Sequence, residues 1–313
     1  MRTILVIALA GLLLTFASCG RSASDDRRDT LSVAATIPPL AWIARGLAPD
    51  GSNVTTLLPP GASEHGYEPP PSRLADFVRA DVVLMVGLGL EPAADRSLRT
   101  QPRGGRAVVV FAEAAQTTGS PNANHNHSEH DHAHGTDAAD RDPHLWLDPP
   151  LMLLMVDASR DAIARLLARR NASEQDVAAL DARRDALADA VRRVDKAYRD
   201  RLAPFAGAAI VSAHDSMRPL ASRYSLQIVG VVHAHEGAEP TPGEMVRAAQ
   251  GLRNATHRVI LIEPQSGRSL ADRLAEETGA PVATFDPLGS GDWEATMLAN
   301  LDALAEALER SNR

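Results

Sequence analysis

The chain has 313 residues, is 44% hydrophobic and carries a formal net charge of −8, which leaves room for one large domain or two lobes with separate cores. Mild acidity without a basic cluster argues against nucleic acid, whose phosphates require Lys and Arg for neutralisation. A lone cysteine, Cys19, removes any internal disulfide.

The first residues form an export signal: Arg2 is the positive start, Ile4 to Phe16 an apolar run, and Ala17, Ser18 and Cys19 are small. The run is short of the ~20 residues that span a bilayer, and no later segment reaches that length. Phe16-Ala-Ser-Cys-Gly20 resembles a bacterial lipobox, with Phe16 in place of the usual Leu. The resemblance implies a signal peptide over residues 1–18, cleavage before Cys19 and lipidation of its thiol. Residues 19–30, polar and without apolar period, then read as a tether.

From residue 31 the pattern alternates. Short β-like runs at 31–37, 81–86 and 107–111 are separated by helical or turn-rich stretches, which predicts an α/β lobe over 31–172. Inside it, residues 116–142 are poor in apolar side chains and read as a long loop holding His125, His127, His130, His132 and His134, a low-order chelator able to capture ions.

Residues 173–203 contain neither Gly nor Pro. Val177, Leu180, Leu187, Val191, Val194, Tyr198 and Leu202 recur mainly at three- and four-residue steps, which predicts one long amphipathic helix. Strand-helix alternation resumes over 204–313, with strand-like segments at 208–212, 226–232, 259–263 and 281–285. Thr241-Pro-Gly-Glu244 has capping-box spacing with Pro at the first helical position, so a helix should begin there. A final helix is expected from Asp292 to about Arg310.

Three histidines stand where apolar runs end and turns begin: His65 in Gly61-Ala-Ser-Glu-His-Gly66, His144 in Asp142-Pro-His-Leu-Trp-Leu-Asp148, and His214 in Ser212-Ala-His-Asp215. Neutral imidazole binds zinc well, and three His with one oxygen complete a tetrahedron. Singly, each is as compatible with an ordinary hydrogen-bonded histidine. His233 and His235, two apart, could flank a cleft or lie exposed.

Taken in order, Leu57-Leu-Pro-Pro-Gly-Ala-Ser-Glu-His65, Asp142-Pro-His-Leu-Trp-Leu-Asp-Pro149 and Ser212-Ala-His-Asp215 resemble the zinc/manganese solute-binding proteins of ABC importers. Glu239-Pro-Thr-Pro242, Glu263-Pro-Gln265 and Asp286-Pro-Leu-Gly289 extend the resemblance through the second half. It implies two α/β lobes joined by a single long rigid helix, with the metal in the inter-lobe cleft held by His65 and His144 from one lobe and His214 from the other. It implies, for the fourth ligand, Asp286 after the last strand, Glu64 beside His65, or water.

Three imidazoles suit Zn(II), whereas oxygen-richer sets favour Mn(II). The expected protein is an extracytoplasmic, membrane-anchored lipoprotein, monomeric, that passes Zn(II) to the permease of an ABC importer without bond chemistry. A manganese-binding member of the family is the alternative. A zinc hydrolase using Glu64 as base is a further one, although no H-E-x-x-H helix is present. An adhesin or metal buffer is the third account.

Overall fold

The computed structural model describes residues 30–101, 104–116, 142–212, 214–231, 240–265 and 267–311. In the first lobe, strands β1 (Ser32–Ala35), β2 (Asn53–Thr56), β3 (Val82–Met85) and β4 (Ala107–Val110) form an all-parallel sheet in the order β2-β1-β3-β4. Helices α1 (Pro38–Leu47), α2 (Pro71–Arg79), α3 (Pro92–Thr100) and α4 (Phe111–Gln116) alternate with them. β1, β3 and β4 coincide with the three apolar runs. β2, Asn-Val-Thr-Thr at one edge of the sheet, has no such run, because its alternate residues are exposed.

Two long helices follow, α5 (Pro149–Arg169) and α6 (Glu174–Leu202). α6 begins on a capping box in which the Ser173 hydroxyl accepts from the Asp176 N–H and the Asp176 carboxylate accepts from the Ser173 N–H. Its 29 residues extend about 44 Å at ~1.5 Å each. Leu180, Leu187, Val191, Val194, Tyr198 and Leu202 bury one stripe, as the periodicity predicts, while Val177 in the first turn stays half-buried. The helix does not stand alone, because α5 packs along its length.

The second lobe repeats the first. Strands β5 (Ala209–Ser212), β6 (Gln227–Val231), β7 (Arg258–Ile262) and β8 (Val282–Thr284) are parallel in the order β6-β5-β7-β8, with helices α7 (Arg218–Arg223), α8 (Pro242–Asn254) and α9 (Ser269–Thr278) between them. α8 starts on the expected capping box of Thr241 and Glu244. The closing helix α10 (Trp293–Arg310) is capped by Asp292, whose carboxylate accepts from the Ala295 N–H, and packs on α6 and α1. In both sheets the order reverses next to the first strand, between β1 and β3 and between β5 and β7. Such a switch point opens a crevice beyond the strands' carboxyl ends, where open α/β sheets bind ligands.

The lobes share one continuous core. Val33 and Val82 of the first sheet, Leu147, Tyr198 of α6, Ile210 and Leu261 of the second sheet and Leu301 of α10 all belong to it. Polar bonds seal the seam: the Trp146 indole N–H donates to the Pro287 carbonyl at 2.7 Å, and that of Trp293 to the Trp146 carbonyl at 3.0 Å. Buried indole N–H groups need such partners, and here the partners lie across the lobes. Among the described residues no helix is long and apolar enough to cross a membrane.

Candidate metal centre

Glu64 and His65 lie in the loop that leaves β2, His144 leads into a 3-10 turn at Leu145–Leu147, and His214 sits just beyond β5 before a second 3-10 turn at Asp215–Met217. These four residues each bring a ligand atom within 4.8 Å of the others, across the inter-lobe cleft. His144 Nε2 is 3.0 Å from His65 Nε2 and 3.2 Å from His214 Nε2. The three rings meet edge to face with centroids 5.0 to 5.1 Å apart.

The far side of two rings fixes what this side presents. Asp142 Oδ1 accepts from the His144 backbone N–H at 2.9 Å and lies 2.8 Å from its Nδ1. Glu263 Oε1 lies 2.5 Å from His214 Nδ1 and also accepts from the Ser216 hydroxyl at 3.2 Å. A carboxylate there holds the ring proton on Nδ1, so neutral His144 and His214 turn Nε2 lone pairs toward each other. Two lone pairs at 3.2 Å repel unless a cation lies between them. Nitrogens ~2.0 to 2.1 Å from one tetrahedral ion are about 3.3 to 3.4 Å apart, close to the spacing found.

Glu64 is the acidic member of the group. It is 4% exposed, its Oε1 is 3.7 Å from His144 Nε2, beyond hydrogen-bond range, and neither carboxylate oxygen has a hydrogen-bond partner among the described residues. A buried carboxylate without donors is costly and calls for a cation. Burial raises its pKa above the ordinary carboxylate value, an effect the nearby His144 partly opposes. Burial, then the neighbouring His144 and His214, push His65 down to about 3, so that ring is neutral at physiological pH. For His214 burial works against the charged form, but the hydrogen bond and charge of Glu263 outweigh it and the pKa rises.

The structure therefore brings His65, His144 and His214 together with Glu64, not with Asp286. Asp286 does follow β8, but its Oδ1 turns back to accept from the Leu288 and Gly289 N–H groups at 3.0 and 2.8 Å. The Asn300 side chain pairs with its backbone N–H and carbonyl. The turn through Pro287 thus engages the acid that the sequence offered first as fourth ligand. Cys19, the signal and tether, His125, His127, His130, His132 and His134, and His233 and His235 lie outside the described residues. Asp142 and Glu263 went without a role in the sequence. Their signal was present, in an acid two residues before His144 and another directly after the apolar run of β7, at the second lobe's switch point.

A family model, ZnuA, described as the periplasmic zinc-uptake complex component A, matches residues 33–307. The high-affinity zinc uptake system protein ZnuA of Bacillus subtilis is 24% identical over 97% of this chain and 97% of its own. The zinc-binding lipoprotein AdcA of Streptococcus pneumoniae is 24% identical over 92% of this chain, which spans just over half, 55%, of AdcA. A crystal structure of ZnuA superposes with a TM-score of 0.70 at 22% identity, covering 89% of this chain and 99% of that one, a likeness of fold.

Proposed function

The chain belongs to the ZnuA family of periplasmic zinc-uptake components, and on that premise we propose that it is an extracytoplasmic solute-binding protein that captures Zn(II) and hands it to the permease of an ABC importer. The family and fold are those of transport proteins that bind a substrate, not of enzymes, which removes the zinc-hydrolase alternative. The proposed ligands are His65, His144, His214 and Glu64, in place of Asp286.

One observation carries the reading: three imidazole nitrogens converge, two with their tautomers set by carboxylates behind them, on a buried Glu64 whose oxygens lack donors. Such a set neutralises half a dication's charge and supplies softer nitrogen ligands, which favours Zn(II) over Mn(II). A manganese-binding role is the alternative within the family. The Bacillus and Streptococcus relatives are both named for zinc, which supports the first.

The remaining parts of the reading rest on the sequence. Cys19 is the proposed lipid attachment, residues 19–30 the tether, 31–172 and 204–313 the lobes and 173–203 the connection, and the anchored protein acts as a monomer. The histidines from 125 to 134 would gather ions near the cleft. A role in adhesion would rest on the same anchored chain.

Metal analysis of the purified protein and competitive titration with zinc and manganese test the assignment. His144→Ala takes a whole ligand from the centre of the group and should weaken zinc binding by at least the ~10- to 100-fold that loss of a supporting residue costs, while deletion of residues 122–141 should leave one tight site. Unchanged zinc affinity in the alanine variant would refute the site.

A further inference from the structure

His144 and His214 belong to different lobes, so their 3.2 Å approach must be set by something stiffer than two loops. The structure holds such a device at the other end of both segments. From His144 the chain runs through one tight turn, in which the Leu147 N–H donates to the His144 carbonyl at 3.1 Å and the Asp148 N–H to the Leu145 carbonyl at 3.2 Å. Asp148 ends that turn at the N-cap position of α5, its side chain making no cap hydrogen bond there. From His214 the chain runs through the 3-10 turn and α7, whose last residue is Arg223. The Arg223 guanidinium meets the Asp148 carboxylate with two bonds, Nε to Oδ1 at 3.0 Å and Nη2 to Oδ2 at 2.8 Å.

The result is a closed ring of short rigid pieces, joined at one end by an ion pair and at the other by two imidazoles. The Asp148 side chain is 0% exposed and that of Arg223 31%. A two-point guanidinium–carboxylate contact fixes direction as well as distance. Trp146, inside the same turn, is further tied to Pro287 and Trp293 of the second lobe. The segment carrying His144 is thereby fastened to the second lobe.

The geometry points to Arg223 and Asp148 as a positioning pair, an inter-lobe clamp that presets the His144–His214 half of the metal centre and so raises its affinity and holds its tetrahedral shape. Neither touches the ion. Preorganised ligands bind more tightly because less ordering remains to be done on binding. This inference rests on the metal-binding reading above.

The test uses the full chain with zinc, and with cobalt(II) as a spectroscopic probe whose visible absorption is intense in a tetrahedral site and weak in a six-coordinate one. Arg223→Gln should weaken zinc binding by about tenfold or more, within the range for supporting residues of metal sites, and weaken the cobalt band. Arg223→Lys, with one point of contact in place of two, should fall between Gln and the parent. Asp148→Asn combined with Arg223→Gln should bind no more weakly than Arg223→Gln alone, because each removes the same clamp. Should the single variant not fold, the double variant, which strands no charge, carries the test.

Arg193→Gln removes an exposed ion pair with Glu294 away from the site and should leave both readouts as in the parent. A folded Arg223→Gln protein, or a folded double variant, with parental zinc affinity and cobalt spectrum would overturn the clamp. Failure of the parent itself to bind zinc would instead overturn the metal-binding reading.

Discussion

Glu64→Gln separates what the site costs the fold from what it gives to the ion. Gln keeps the shape and removes the charge. In the metal-free protein the carboxylate is 4% exposed with neither oxygen hydrogen-bonded among the described residues, so its neutral replacement, although the amide is unpaired too, should stabilise the fold by about 1 to 3 kcal/mol, a part of the several kcal/mol that a buried charge costs. For a chain of this size, at ~2.1 cal/mol/K of unfolding entropy per residue, each kcal/mol moves Tm by about 1.5 °C. The gain has a pH signature. Because burial raises the Glu64 pKa above 4.5, the native state favours the protonated acid; that stabilisation is full below 4.5 and lost as pH rises through the folded-state value. The advantage of Gln should therefore be small in acid and largest at neutral pH and above. With zinc the sign reverses. A unit negative charge about 4 Å from a unit positive one is worth about 4 kcal/mol at protein-like effective dielectric, and after the returned desolvation cost a net loss of about 1 to 3 kcal/mol remains, some 5- to 150-fold in Kd. Thermal denaturation with excess chelator and competitive zinc titration measure the two halves. A variant with lower metal-free Tm and parental zinc affinity would show Glu64 to be an ordinary structural residue.

Asp286→Asn keeps the oxygen that accepts from Leu288 and Gly289 and should leave zinc affinity within about twofold, well under the 1.4 kcal/mol that a tenfold change represents; a large loss in titration would return Asp286 to the ligand set. Glu263→Gln frees the His214 tautomer and should cost 10- to 100-fold in zinc affinity, read by the same chelator competition. Acidification should release zinc through His214, whose pKa, against burial, Glu263 holds above the ordinary imidazole value, and not through His65, which at about 3 stays neutral; titration from pH 8 to 5 checks this, and release unaltered by Glu263→Gln would contradict it. In the metal-free protein the depressed pKa of His65 means the unfolded chain binds its proton first, so stability falls as pH drops from 6.5 toward 3, and His65→Asn should flatten that part of the Tm profile.

Much of the fold was legible because burial on both faces of a parallel sheet leaves continuous apolar runs, as in Val82-Val-Leu-Met85, and because a helix without Gly or Pro repeats its apolar stripe, as α6 does from Leu180 to Leu202. β2 escaped because its alternate residues, Asn53 and Thr55, are exposed and polar, which leaves no apolar run. The company α6 keeps with α5 also escaped, since a stripe shows that a face is buried but not against what.

At the site, residue type and order along the chain determined that His65, His144 and His214 are the metal-ligating candidates, since imidazoles in strand-end loops need only a common crevice to act together. Sequence alone left the fourth position open between Asp286, Glu64 and water, because three separations of 70 residues or more carry no angles. Tertiary structure decided how the acids are deployed. The turn beyond β8 occupies Asp286 Oδ1 with two backbone N–H groups, packing leaves Glu64 buried without donors, and Asp142 and Glu263 come to rest behind the rings. Short-range pattern specifies which face of each element is buried, but only the meeting of two lobes specifies which lone pairs face one another.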